Sequence, residues 1–213
     1  GNEKARGFDV VPTNKTIPEF GGRIQHPVPK GELAFSYHHR SANTSNLDFV
    51  NTFSEIPENR FALDGKWDVG IGLWFESVYI HRKKYIGNLT NQTLLNIGVD
   101  YTFPLGTGLN AVVEHMQINF NEEQFNVNNG MHLSAATFMY PLSFFDTLST
   151  VIYYDRSSEN TSFFINYSHQ FKKLTGYLMG YYNPESIQTG IQQNELFNQF
   201  KGPGIRLMLV YNH

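Results

Sequence analysis

The feature that most constrains this chain is the length of its alternation. Between residues 93 and 103, Leu95, Ile97, Val99, Tyr101 and Phe103 take turns with Asn96, Gly98, Asp100 and Thr102. A tight Pro104-Leu105-Gly106-Thr107-Gly108 turn follows, and residues 109–120 run back. A period of two puts one set of side chains on each face of a strand. Alternation alone also fits a soluble sandwich with one wet face. Length separates the two cases: soluble strands average about five or six residues, whereas a tilted strand crossing a bilayer needs about 9–11.

The pattern recurs. Residues 1–18 are polar and irregular, with 8–11 as a candidate short strand. Beyond them, strands are expected at residues 22–28, 32–40, 60–63, 67–82, 93–103, 109–120, 131–140, 147–156, 162–171, 175–182 and 205–211. Short connections are expected at Pro29-Lys30-Gly31, Asp64-Gly65-Lys66, the Pro104 turn, residues 141–146 and Lys172-Lys173-Leu174. They alternate with longer polar ones at residues 41–59, 83–92, 121–130, 157–161 and 183–201. Brief turns on one side and long loops on the other are the plan of an outer-membrane barrel. The expected fold is all-β: an antiparallel transmembrane β-barrel of about 11–12 strands, one domain over residues 1–213. Single-chain bacterial barrels close with an even count. The odd count is expected to mean that strands of a larger parent precede this chain, or that residues 8–11 supply a twelfth.

Composition narrows the partners. A net charge of -3, a pI near 6.2 and no basic run longer than His81-Arg82-Lys83-Lys84-Tyr85 argue against nucleic acid. The absence of cysteine removes disulfides, thiolate metal sites and cysteine nucleophiles. No apolar run reaches the roughly eighteen residues of a spanning helix. The mean hydropathy of -0.36 is no obstacle to a barrel, since only alternate residues of its strands face lipid. Eighteen Phe and 12 Tyr against 2 Trp supply an apolar band with interfacial girdles. Gly1-Asn2-Glu3-Lys4 carries no signal core, so a signal peptide removed earlier or a longer parent is expected.

Several stretches carry a resemblance. Phe20-Gly21-Gly22-Arg23, Pro27-Val28-Pro29-Lys30-Gly31-Glu32, Ser36-Tyr37-His38-His39-Arg40 and the run Leu63-Asp64-Gly65-Lys66-Trp67-Asp68-Val69-Gly70-Ile71-Gly72-Leu73-Trp74-Phe75-Glu76 resemble the C-terminal portion of porin-like outer-membrane proteins of Gram-negative bacteria. The closing Met208-Leu209-Val210-Tyr211-Asn212-His213 is similar to the end of such proteins. The resemblance runs from about Gly7 to the end and implies a fold and a bacterial outer-membrane location. One departure is that the chain ends on His213, its nearest aromatic being Tyr211, where such barrels commonly finish on an aromatic residue.

Assigning faces by alternation gives the candidate sites. Ser36, His38, Arg40, Asp68, Glu76, Asn96, Asp100, Glu114, Asn166, Ser168, Gln170 and Arg206 are expected in the lumen. Leu73, Phe75, Ile97, Val99, Tyr101, Phe163, Ile165, Leu207 and Leu209 are expected against lipid. Glu76, Asp100 and Glu114 form a candidate cation-favouring patch; the bland alternative is pairing with lumenal Arg or Lys to stiffen the wall. Gly70 and Gly72 are expected to make room inside. Residues 109–120 conflict with simple alternation, because His115, Gln117 and Asn119 then face outward; a bulge, or a strand continuing above the bilayer, resolves this. His38 and His39 are adjacent and point to opposite faces, so they cannot chelate one ion. Ser36 and His38 share a face without a nucleophile elbow, and no catalytic site, metal or cofactor is expected.

The expected function is an outer-membrane channel, a porin passing small polar solutes or ions, in contact with membrane lipid. Two other classes remain: a barrel serving as a structural anchor or interaction subunit, with a protein partner or in a homo-oligomer, and a soluble ligand-binding β-barrel.

Overall fold

A computed structural model describes residues 9–45, 53–126, 130–184 and 202–211. Phe8, His213 and parts of three expected loops, residues 46–52, 127–129 and 185–201, lie outside the described residues. Among the described residues, eleven strands follow one another without a helix: β1 (Phe20–Val28), β2 (Gly31–Ala42), β3 (Ile56–Asp68), β4 (Gly72–Arg82), β5 (Asn91–Phe103), β6 (Leu109–Asn121), β7 (Met131–Pro141), β8 (Asp146–Asp155), β9 (Asn160–Gln170), β10 (Leu174–Asn183) and β11 (Gly202–Tyr211). They form one antiparallel sheet in sequence order, with β1 and β11 at its two ends, so among the described residues the sheet is not closed into a barrel. Among the described residues of the candidate twelfth strand, 9–11, no strand forms; nearby, Thr13 makes an isolated bridge to Ala42.

The strand count equals that expected, but one turn is displaced. Asp64-Gly65-Lys66 lies inside β3, paired across to Ala34, Leu33 and Glu32, and the chain reverses instead at residues 69–71, where Gly70 has φ +94. Asp-Gly is the usual hairpin signal. Here Gly65 serves packing, since a Cβ on it would lie 2.7 Å from both Leu33 Cδ2 and a Trp67 ring carbon. At the β1–β2 hairpin, Val28 pairs with Gly31, leaving Pro29 and Lys30 as the loop. Proline fixes the first φ and Lys30 takes φ 60, the pattern of a type II turn.

Internal packing divides the chain into two compact units, cut through β5 and β6. Unit 1 is Gly1–Val69, Leu73–Ile97 and Met116–Met131; unit 2 is Gly70–Gly72, Gly98–His115 and His132–His213.

In unit 1 the register of β1, β2 and β3 sorts side chains cleanly. Phe20, Ile24, Leu33, Phe35, Tyr37, Phe61, Leu63 and Trp67 share one face. Phe20, Ile24, Phe35, Phe61 and Leu63 on that face are exposed, Ile24 by 76%. The opposite face carries Arg23, Glu32, Ser36, His38, Arg40, Glu58, Arg60, Asp64 and Lys66. Its loop end is covered, and Val11, Ala42, Ile56 and Ile86 pack there into a small apolar cluster joined by Val10, Phe53 and Leu89. In unit 2, Phe163, Ile165, Leu178, Ile205, Leu207 and Leu209 lie on one face, and Asn166, Met179 and Arg206 on the other. Ile205, Leu207 and Leu209 are 83%, 69% and 60% exposed. Among the described residues the exposed large apolar side chains outnumber the buried ones several-fold, the reverse of a soluble core.

Candidate functional site

The densest polar constellation lies on the covered face of unit 1. β2 and β3 place Arg40 directly opposite Glu58, and both are buried, together with Arg82 from the end of β4. Glu58 gathers three guanidinium groups. Arg40 Nε donates to its Oε1 and Arg40 Nη2 to Oε2 at 3.2 Å. Arg60 Nε donates to Oε1 at 2.6 Å, and Arg82 Nε lies 2.7 Å from Oε2. That last approach is an ion pair without hydrogen-bond alignment, and Arg82 Nη2 also lacks a hydrogen-bond partner among the described residues; Arg82 Nη1 donates to the Leu89 carbonyl at 2.5 Å. The remaining charge comes from Asp9. Its Oδ1 and Oδ2 accept from Arg60 Nη2 and Nη1 at 2.8 and 3.3 Å, and Arg40 Nη1 stands 3.6 Å from Oδ2. Among the described residues, three guanidinium groups therefore face two carboxylates, leaving one positive charge in excess. Burial on this scale is tolerated only where the charges satisfy one another.

The rest of that face is tied in smaller groups. Arg23 forks onto Asp64 at 2.6 and 2.7 Å and donates to Ser36 at 3.2 Å. Glu32 accepts from Gln25 at 2.5 Å and lies 3.3 Å from Lys66. His38 Nε2 is 3.2 Å from Glu19.

On the apolar face a different motif occurs twice at the loop end. Tyr37 Oη donates to Asn59 Oδ1 at 2.9 Å, and His39 Nδ1 meets the same oxygen at 2.8 Å. Tyr79 and His81 meet Asn91 Oδ1 at the same two distances. The sequence carries the repeat openly, as Tyr37-His38-His39-Arg40 and Tyr79-Ile80-His81-Arg82. In each copy Tyr and His point to the apolar face while the following Arg crosses to the Glu58 cluster. Outside the strands, the carboxylate of Glu122 beside Tyr85 holds the phenol above its usual range.

Each predicted face can be placed. Arg40 and His38 lie on the polar face of unit 1, and Asp68 follows there by alternation from Asp64 and Lys66. Glu76 falls there by alternation from Arg82. Leu73 and Phe75 fall on the apolar side, Phe75 stacking on Trp67 with centroids 6.0 Å apart. Asn91 meets Tyr79 and His81 on that side, so Ile97 shares it and Asn96 does not. In unit 2, Asn110 donates to Thr102 at 3.2 Å, which puts Asp100 and Glu114 on one face and Val99 and Tyr101 on the other. Phe163, Ile165, Leu207 and Leu209 share a face, with Asn166, Ser168, Gln170 and Arg206 opposite. Of the two glycines expected to make room, Gly72 does so for Asp100, whose Oδ2 stands 2.1 Å from the site of a Cβ, while Gly70 serves the turn. β6 runs unbroken, and its awkward residues bond on their own side. His115 meets Ser134 at 2.9 Å and His132 at 3.5 Å, and Gln117 donates to Asn119 two residues along.

Sequence reasoning missed Glu58, Arg60, Arg82 and Asp9. Pro57 and Asn59 disguise the start of β3 as loop, and Arg82 reads only as the end of a strand within a short basic run; the Tyr-x-His-Arg repeat is the available signal. No group of three or more His, Asp or Glu among the described residues is arranged to hold a metal ion. Comparison with family models, curated proteins and solved structures found no match.

Proposed function

We propose that this chain forms wall of a porin-like outer-membrane β-barrel of a Gram-negative bacterium, whose polar face lines a path for small polar solutes or ions. One observation carries the reading: ion pairs are buried on one face of the sheet while aliphatic and aromatic rows stand exposed on the other. In water, exposing a contiguous apolar face of this kind is costly; against hydrocarbon it is the favourable arrangement, and the polar face then meets water inside. Strands of nine to thirteen residues match the bilayer requirement of about 9–11. The paired Tyr, His and Asn residues at one end of the apolar face suit an interfacial girdle, where amphipathic rings sit at headgroup depth.

The sheet order bears on how such a wall closes. With eleven antiparallel strands, β1 and β11 run in the same direction. A closure that stays antiparallel then takes an odd number of further strands; otherwise the two edges pair in parallel. Those edges, unpaired among the described residues, also favour a second reading, a barrel wall acting as a structural anchor or interaction subunit that adds strands from a partner.

Reconstitution of the purified protein in planar bilayers tests the channel. Discrete conductance steps are expected, and a protein that inserts without them is an anchor or subunit. Detergent phase partition tests the membrane assignment beneath both readings: recovery in the aqueous phase without detergent overturns it in favour of a soluble barrel.

A further inference from the structure

The Glu58 cluster has a front and a back. Arg82 and Glu58 are fully covered and Arg40 is 3% exposed, while the side chains of Arg60 and Asp9 are 19% and 21% exposed. Asp9 therefore sits at the accessible mouth, and it engages Arg60 fork to fork, the geometry by which guanidinium groups hold carboxylates and phosphates. Behind it, three guanidinium groups share Glu58, and Arg82 Nη2 is sealed from solvent without a hydrogen-bond partner among the described residues. A buried donor left unmatched beside a surplus positive charge is the environment an anion completes.

Asp9 is also separable from what anchors its segment. Val11 is fixed independently: its carbonyl accepts from Arg40 Nη2 at 2.8 Å and its side chain is fully buried with Ala42, Ile56 and Ile86. Further along, Asn43 N donates to the Pro12 carbonyl at 2.9 Å and Asn14 N to the Ser41 carbonyl at 2.8 Å. Asp9 can leave Arg60 without unseating the segment from Val11 onward.

We propose that Arg60 and Arg40, with Arg82 behind them, form a binding site for a small oxyanion on the polar face, and that Asp9 is its built-in occupant. The chain carries its own competitor: a carboxylate or phosphate group enters when Asp9 swings out, and Arg60 hands its fork from one to the other. Glu58 stays in place and sets the depth, since its two oxygens already accept hydrogen bonds from Arg40 and Arg60 and form an ion pair with Arg82. The inference concerns unit 1 alone and does not require the chain to conduct.

The test uses the full chain folded in detergent micelles, titrated calorimetrically with inorganic phosphate at constant ionic strength. Asp9→Asn keeps the size of the side chain and removes its charge, and is expected to bind phosphate at least about tenfold more tightly than wild type. Asp9→Ala carries the same expectation should the amide itself hold Arg60. Adding Arg60→Lys to Asp9→Asn keeps the positive charge and removes the fork, and is expected to return the affinity toward wild type. Thermal melts of each variant verify that it is folded. Equal phosphate affinity in wild type and both Asp9 variants overturns the proposal, as does tight binding that survives Arg60→Lys.

Discussion

Gly31 lies directly opposite Trp67 in the β2–β3 pairing, and a Cβ placed on it would stand 2.6 Å from Trp67 Cδ1 and 2.2 Å from the Lys66 carbonyl oxygen. The ring occupies the space that any larger residue at position 31 would need, and the carbonyl belongs to the strand ladder and cannot move aside. Gly31→Ala is therefore expected to cost about 1–3 kcal/mol, the range for inserting a methyl group into a filled site. Gly22→Ala, with nothing within 4 Å of the new atom, should stay within about 0.5 kcal/mol of wild type. Urea unfolding followed by tryptophan fluorescence measures both, and similar losses from the two would contradict the packing.

Glu58 holds three arginines together, so its removal is expected to be far worse than the loss of one surface partner. Glu58→Gln leaves three buried or half-buried guanidinium groups facing the single carboxylate of Asp9. Breaking a buried ionic group by deleting one partner costs about 3–5 kcal/mol, because the remaining charge stays uncompensated. Asp64→Asn serves as the contrast: its partner Arg23 is 47% exposed, and water takes over the lost contact with little change in stability. Denaturant midpoints of the two variants should separate clearly; coincident midpoints would show that the cluster contributes no more than a surface pair.

How far the sequence alone could be read follows from these same residues. Period-two alternation located the strands, because each side chain's face is set by parity, and parity survives small errors in the ends of a strand. The displaced β3–β4 turn shows this: moving the reversal from residues 64–66 to 69–71 left Phe75 stacked on Trp67, as alternation required. What parity cannot supply is register between distant strands. Glu58 and Arg82 meet across β3 and β4, and Asp9 reaches Arg60 from far along the chain. Those contacts depend on where each loop returns, and polar text around Pro57 and Lys83 concealed it. From sequence alone Gly65 reads as turn chemistry, whereas the reason for glycine there is ring packing, a property of the neighbouring strands and not of the local sequence.

Lys30 occupies the left-handed position of the β1–β2 turn with φ 60. For a residue with a Cβ that conformation costs roughly 1–2 kcal/mol, part of which glycine returns through its larger loss of backbone entropy on folding. Lys30→Gly is expected to raise stability by about 0.5–1 kcal/mol, while Lys30→Val, branched at Cβ, should lower it. Refolding equilibria in detergent decide the order; a valine variant as stable as the glycine one would remove the strain argument.

Asn91 is almost fully buried, accepts from both Tyr79 and His81 on one oxygen, and donates through Nδ2 to the carbonyls of Asn121 and Glu122 at 3.3 and 2.9 Å. Asn91→Ala leaves these groups unmatched and should cost about 1–3 kcal/mol. Asn91→Asp keeps the acceptor and loses the donor, so it should retain the Tyr79 bond while freeing the two carbonyls. Hydrogen exchange at Asn121 to Gln124 is the direct readout, with faster exchange expected in both variants; unchanged protection in Asn91→Ala would mean that the amide does not fasten that connection.

The face assignment itself is tested by two neighbours in β5. Ile97 is 48% exposed on the apolar side, and Asn96 points the other way. If the apolar side meets hydrocarbon, Ile97→Arg places a charge near mid-bilayer and should cost about 2–4 kcal/mol of folding into lipid vesicles, whereas Asn96→Arg faces water and is tolerated. In a soluble protein the order changes. An arginine replacing a half-exposed isoleucine then projects into solvent at little cost, and the other face, with its buried charges, becomes the sensitive one. Folding yield of the two variants in vesicles, set against the same pair in detergent, separates these cases. Loss confined to Ile97→Arg and strongest in lipid is the expected result; equal damage from both, or greater damage from Asn96→Arg, would reverse the sides of the sheet and remove the membrane reading with them.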